Sequence, residues 1–280
     1  MTVPVPGGNI LTVSLPRTLL ALADHGFETL ALGLGLIVGS FANVVIHRLP
    51  AGRSVVRPGS CCPRCGRAIR PWDNVPVLSY LLLRGRCRDC GASISWRYPA
   101  VELANGLGWL GLAAVLGPSP RTFLAMAFVT ALLVLSLIDL DHHLLPDAIT
   151  KPGIGAGVAA SFLPGSPVTP LAAVAAAAGG YLALFAVSAL YKKTRGIEGL
   201  GQGDWKMLAM LGAFLGWERM LLTLLLATLV GSIVGLSLMV LRGVSSQHAL
   251  PLGTFLGLAG IAVTFMGDAF LAWYRGLLGA

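Results

Sequence analysis

The 280-residue chain is short of charge. Asp, Glu, Lys and Arg make up 11% of it, where a soluble globular domain carries about 25%. Acids are the scarcer sign, 12 against 20 Lys and Arg. That leaves too little polar surface to cover a water-facing particle. With 55% apolar residues and a mean hydropathy of +0.79, the composition excludes both a soluble enzyme and a disordered chain. Also missing are H-E-x-x-H, G-x-S-x-G and a Gly-rich strand-to-helix fingerprint, which removes zincin, α/β-hydrolase and Rossmann readings. The first 28 residues lack a basic start and a continuous apolar stretch, and Asp24 and Glu28 interrupt them; they read as a short tail, not a signal peptide.

What the chain does have is long apolar runs. Charge-free stretches occupy 29–46, 103–120, 122–138, 152–191, 207–217, 220–241 and 243–267. A helix needs roughly 20 apolar residues to cross a bilayer. The 152–191 stretch holds two such helices, with Pro164-Gly165-Ser166-Pro167 as the turn between them. Eight membrane segments are therefore expected. The run 207–217 is too short to span alone and has to be tilted, broken or extended by its neighbours.

Eight crossings place sixteen Lys and Arg on one side: ten Arg in the loop 48–98, with Lys151, Lys192, Lys193, Arg195, Lys206 and Arg242. Arg17, Arg121, Arg219 and Arg275 fall on the other. The basic side is the cytoplasm by the positive-inside rule, so both termini are expected outside. The formal charge of +8 is then topology and contact with anionic lipid, not nucleic-acid binding. The sequence specifies no oligomeric state.

The loop 48–98 holds all five cysteines. Cys62-Pro63-Arg64-Cys65 and Cys87-Arg88-Asp89-Cys90 form two C-x-x-C knuckles, each followed by a glycine, Gly66 and Gly91, that permits a tight turn. Four thiolates in paired knuckles suit a tetrahedral, structural Zn²⁺. Disulfides are the alternative, and a cytoplasmic loop disfavours them. Cys61 is left as a neighbour of the first knuckle.

Two acidic clusters lie at the cytoplasmic ends of membrane segments. One is Asp139-Leu140-Asp141-His142-His143-Leu144-Leu145-Pro146-Asp147, at the exit of the third. The other is Gly201-Gln202-Gly203-Asp204, at the entrance of the sixth. Three intervening crossings return the chain to the same side, so Asp139 and Asp204 share a depth. Ionisable groups near lipid are functional candidates by default. Two adjacent carboxylates share a proton and divide into acid and base, the chemistry of aspartic peptide hydrolysis. Glycines 201 and 203 leave room for a substrate strand beside the site. The plainer reading, interfacial or capping acids, suits Asp141 and Asp147, the latter as a cap for the fourth segment. Lys206 either biases the pair toward ionisation or snorkels to the headgroups. His142 and His143 are consecutive and cannot converge on one ion; His25, His47 and His248 are isolated and interfacial.

Gly39-Ser40-Phe41-Ala42-Asn43-Val44-Val45-Ile46-His47-Arg48-Leu49-Pro50 resembles the opening signature of the type IV prepilin peptidases, GSFLNVVIYRLP, departing at Ala42 and His47. Asn74-Val75-Pro76, Ser79-Tyr80-Leu81, Arg97-Tyr98-Pro99 and Glu102 resemble that family's cytoplasmic region, and the likeness runs through both aspartate clusters, over roughly 33–260. It implies an all-α polytopic membrane protein with a small zinc-knuckle domain inserted between the first two helices. The expected organisation is a tail over 1–28, a first helix over 29–47, the cytoplasmic domain over 48–98 and a peptidase domain over 99–275. The resemblance puts the family's two catalytic aspartates on Asp139 and Asp204. It selects Asp139 over Asp141 because the family's first Asp stands eight residues before the acid after Pro, here Asp147. It further implies leader cleavage of prepilins and pseudopilins, and methylation of the new N-terminus with S-adenosylmethionine. Gly85 and Glu102 are candidates for that second site. A scaffold that docks a partner through the knuckles, and an ion transporter, are the rival classes. A transporter calls for acids in mid-helix, whereas those between 103 and 268 fall at segment ends.

Overall fold

Small residues decide which helices can touch. The computed structural model describes residues 25–196, 200–242 and 250–278. Arg17, Asp24, His248 and the expected tail as far as residue 24 lie outside them. Along the chain come α1 (Gly26–Arg48), a 3₁₀ turn (Pro71–Asn74), α2 (Leu78–Leu82), α3 (Arg97–Leu116) and α4 (Pro120–His142). Then follow α5 (Asp147–Ala160), α6 (Pro170–Arg195), α7 (Gln202–Arg242) and α8 (Leu252–Leu278). Among the described residues the only β pairing is two isolated bridges in the cysteine loop.

Six of these helices, α1, α3, α4, α6, α7 and α8, are long and apolar enough to cross a membrane. The α7 helix is broken at Gly216, whose φ of 75° and ψ of −179° lie outside the helical region, so it forms two rods, 202–215 and 217–242. With the 14-residue α5, this gives eight rods where eight segments were expected. The short run 207–217 is completed on its N-terminal side by Gln202 to Lys206. The α8 helix begins at Leu252, later than the apolar run from 243 suggested.

Caps fix the outer turns. Ser119 accepts from the Thr122 amide ahead of Pro120, and Thr169 accepts from the Ala172 amide ahead of Pro170. Gly165, in the expected turn, sits at φ 74°, and its carbonyl accepts from Arg121.

The α4 helix touches α1, α3, α5 and α8, with Leu132, Leu135 and Ile138 fully buried. From the first rod of α7, Met207 and Leu211 pack toward α8, while Leu208 and Met210 meet α6 and α5 at Gly180 and Gly153. On the other flank, Gly35 and Gly39 bring α1 against α3. A Cβ at Gly35 would stand 2.9 Å from the Gly106 Cα, and one at Gly39 2.8 Å from the Glu102 Cα. Lipid cannot drive apolar helices together, so close backbone approach and internal hydrogen bonds do so. The bonds are present: Asn105 Nδ2 donates to the Gly35 carbonyl at 2.7 Å, and Thr130 Oγ1 donates to Asn105 Oδ1 at 2.7 Å. Trp109 Nε1 donates to that Thr130 oxygen at 2.9 Å. Asn105→Ala strands these partners in a dry site and should cost about 1–3 kcal/mol. Detergent unfolding measures it, and combination with Thr130→Ala should be less than additive.

Candidate active site and metal centre

Asp139 lies one turn before the end of α4, where His143 closes the helix in the left-handed conformation. Its side chain is 5% exposed. Oδ2 accepts from the Thr254 amide at 2.7 Å and lies 3.3 Å from Thr254 Oγ1, which also donates to the Ser136 carbonyl at 3.0 Å. Thr254 is in the first turn of α8, where backbone N–H groups have no partner within the helix and the dipole favours an anion. The α8 N-terminus therefore holds one oxygen of Asp139 and leaves the other free.

Asp204 stands in the first turn of α7, partly buried. Its Oδ2 accepts from the Gly201 amide at 3.2 Å, and its own amide donates to the Gly201 carbonyl at 3.1 Å. Leu145 lies between the start of α7, which carries Asp204, and the start of α8, which holds Asp139. A Cβ at Gly203 would come within 2.7 Å of the Leu145 Cβ, and one at Gly253 within 2.8 Å of its Cδ1 and 2.9 Å of Asp139 Oδ2. The space that Gly203 leaves is thus filled from inside the protein, while Gly201 is exposed.

The neighbouring acids have other partners. Asp141 pairs with Arg97 at 2.7 Å, which also reaches the Leu137 carbonyl. Asp147 was expected to cap the fourth segment. The capping position is held by Pro146 instead, and Asp147, the first helical residue, pairs with Lys151 at 2.7 Å and Lys206 at 2.6 Å. Lys206 therefore ties α7 to α5, an arrangement neither sequence reading of it foresaw.

Sequence reasoning missed Leu145, Gly253 and Thr254. The one local signal was Pro251 two residues before Gly253, a helix-start pattern inside a run read as unbroken.

In the cysteine loop the sulfurs of Cys62, Cys65, Cys87 and Cys90 lie within 4.8 Å of one another. Cys62 and Cys90 are 3.8 Å apart, far beyond the roughly 2.05 Å of a disulfide. The two knuckles repeat one geometry. The first cysteine's amide donates to the carbonyl five residues on (Arg67, Ala92), and the following glycine's amide donates back to the first cysteine's carbonyl. Gly66 and Gly91 sit at φ 70° and 69°, a region that disfavours any Cβ. Amides of Cys65 and Arg64 donate to the Cys62 sulfur and hold its thiol down to about 6, which favours the thiolate a metal requires. Four converging sulfurs with no fifth donor fit a closed tetrahedral site. Cys61 is exposed and outside the cluster. Around the knuckles, Arg88 clamps Asp73 with bonds of 2.8 and 2.6 Å, and Arg67 reaches Asp89 at 3.2 Å.

Glu102 is 8% exposed, and its Oε2 accepts from the Val77 amide at 2.8 Å. Val77 has φ 61° and ψ −50°, with the Leu78 amide bonded to the Pro76 carbonyl. This is a strained γ-turn. Gly85, at φ 65°, sits where the chain turns toward the second knuckle, against the Tyr80 ring.

One buried and one half-buried carboxylate at one end of a helical bundle, with a four-thiol cluster in the loop between α1 and α3, make a candidate acid site with a metal-binding appendage. Residues 34–116 match the bacterial Peptidase A24 N-terminal domain, and residues 126–236 match the type IV leader peptidase family. A Burkholderia pseudomallei (strain K96243) protein named prepilin leader peptidase/N-methyltransferase is 42% identical over 265 residues, 86% of this chain and 85% of its own. Proteins of the same name from Pseudomonas putida and Pseudomonas aeruginosa PAO1 are 42% and 40% identical. The first covers 94% of this chain and 98% of its own, the second 90% and 96%. The chain belongs to the type IV leader peptidase family. No solved structure matches it.

Two outcomes test the site as built. Gly203→Ala and Gly253→Ala each force a methyl into Leu145 and should cost about 1–3 kcal/mol of stability, with Leu145→Ala restoring part of the loss in detergent melts. The purified protein should hold about one metal ion per chain. Cys62→Ser or Cys90→Ser should lower that content severalfold by elemental analysis, and Cys61→Ser should leave it unchanged.

Proposed function

We propose that this protein removes the leader peptide of type IV prepilins and pseudopilins at the cytoplasmic membrane and methylates the N-terminus it exposes. What supports the peptidase half is that Asp139, at the end of α4, and Asp204, at the start of α7, flank one side chain, Leu145, through Gly253 and Gly203. Two carboxylates brought together at one end of a bundle share one proton. The ionised partner takes a proton from water, and the resulting hydroxide attacks the scissile carbonyl. The protonated partner supports the developing oxyanion and then delivers its proton to the leaving amine. Thr254 and the α8 N-terminus hold Asp139 so that its free oxygen faces this chemistry.

The positive-inside count supports a site on the cytoplasmic face, with both termini outside. A prepilin presents a basic leader ahead of an apolar helix, so its scissile bond arrives at that depth. The loop is strongly basic, but much of its charge is engaged. Arg88, Arg67 and Arg97 face Asp73, Asp89 and Asp141, and Arg48 donates to the carbonyls of Ser54, Pro58 and Gly59. A basic leader therefore meets less repulsion than the count of ten Arg implies.

Zn²⁺ is the ion that suits Cys62, Cys65, Cys87 and Cys90, and in a closed four-thiolate site its contribution is to folding. S-adenosylmethionine is the methyl donor for the second reaction. The methyl transfer belongs to the 48–98 region and the hydrolysis to 99–275. Of the two residues considered for the donor's site, Gly85 is half-buried in the turn before the second knuckle, against the Tyr80 ring. Glu102 already has a partner in Val77 and is better suited to holding the loop.

Asp139→Asn and Asp204→Asn should each reduce leader cleavage by about 10³-fold or more, read by mass shift of a purified prepilin, while methylation of a pre-cleaved pilin continues. Near-normal cleavage by both variants would end the paired-carboxylate reading.

A further inference from the structure

The segment between the 3₁₀ turn and α3 exposes more large apolar side chains than a water-facing loop accommodates. Leu78, Leu81 and Leu82 on α2 are 59%, 64% and 82% exposed, and Val75 just before them is 41% exposed. Within α2, the three- and four-residue spacing of Leu78, Leu81 and Leu82 places them on one helical face. Trp72 and Trp96, at 63% and 74% exposure, flank the segment. None of α2 is buried against the rest of the protein.

Depth separates the readings of this face. The Val77 amide, immediately before α2, is bonded to Glu102. Glu102 lies five residues inside the cytoplasmic start of α3, about 7.5 Å along the helix. Its Cα faces Gly39, nine residues before the cytoplasmic end of α1, or roughly 13 Å. The start of α3 is itself level with the end of α4, because Arg97 reaches Asp141 and the Leu137 carbonyl. Thus the start of α2 is tied below the tips of α1, α3 and α4, to the helix α3 on which Leu103 and Leu107 are exposed. Charge agrees with this placement. Residues 74–88 contain no acid, and Arg84 and Arg86 are exposed directly after α2.

We infer that α2 and its flanking tryptophans are seated in the headgroup–acyl boundary of the cytoplasmic leaflet, with Val75, Leu78, Leu81 and Leu82 among the acyl chains and Arg84 and Arg86 on anionic headgroups. Interfacial helices combine these elements, an apolar face about 5–10 Å into the boundary and cations above it, with tryptophan at headgroup level. The loop is then a re-entrant element. Glu102 clamps it from inside the bundle and lipid holds it from outside, which fixes the four-thiol centre against the membrane. This inference is independent of the assignment of Asp139 and Asp204.

The full-length protein, reconstituted in phosphatidylcholine–phosphatidylglycerol vesicles, tests it with a benzophenone amino acid incorporated at position Leu82 and, for reference, at lipid-facing Leu107. After irradiation, mass spectrometry should find phospholipid adducts at position 82 in at least about a third of the yield at 107, as expected for a side chain at acyl depth. A smaller yield would overturn the inference. So would crosslinks at 82 that pass to added prepilin or to a second copy instead of lipid. In parallel, Leu81→Glu with Leu82→Glu should speed tryptic cutting at Arg84 and Arg86 in the same vesicles by about tenfold. The metal content should remain at the wild-type level, so loss of docking is distinguished from loss of fold. Unchanged cutting would also count against the inference.

Discussion

Hydrocarbon offers no hydrogen bonds, so a polar group taken into it has to bring its own partner. The architecture follows from that constraint. Asn105 is admitted to the α1–α3–α4 junction because the Gly35 carbonyl and Thr130 meet it. Glu102 is admitted because the Val77 amide does. Asp139 is admitted because the first turn of α8 has amides to spare and Thr254 supplies one. In each case a glycine or a helix terminus provides the approach. The polar side chain in turn dictates which helices are neighbours.

The constraint also explains the division of labour among the acids. Asp141 and Asp147 are matched with Arg97, Lys151 and Lys206. They lock α4 to α3 and α5 to α7, and their charge is neutralised. At the opposite end of the bundle, Arg219 with Asp268 and Glu218 with Arg275 join α7 to α8 in the same way. Asp139 and Asp204 receive hydrogen bonds from backbone amides but no cation within bonding distance among the described residues. A carboxylate held by dipoles keeps its capacity to take up and release a proton, which one neutralised by arginine loses. Among the acids near these helix ends, Asp139 and Asp204 are thus the two left without a cation partner among the described residues.

Much of this was legible in the sequence because lipid makes charge placement strict. Gaps between charges gave the segments, Pro164 to Pro167 gave a turn, and the two knuckles announced their cluster through spacing alone. The alternation of sides brought Asp139 and Asp204 to one face without any knowledge of packing. What stayed hidden depends on neighbours remote in sequence. Leu145 matters only because Gly203 and Gly253 close on it, and Thr254 only because it meets Asp139 across 115 residues. Lys206 is two residues from Asp204 in the chain yet bonded to Asp147, a choice that local spacing does not encode. Asp147 looked like a cap because it follows a proline, but a residue just inside a helix can bind a lysine on the next turn and another on the next helix.

The break at Gly216 has a bearing on the surrounding bilayer. The α5 helix and the first rod of α7 are in contact and have 14 residues each, which at about 1.5 Å per residue gives roughly 21 Å of wall. The hydrocarbon slab is about 30 Å thick. A wall a third shorter than its solvent creates hydrophobic mismatch, which is relieved by local thinning of the bilayer. The shortfall lies on the flank that carries Asp204. Water, a reactant in hydrolysis, then has less hydrocarbon to cross at the place where a carboxylate waits for it.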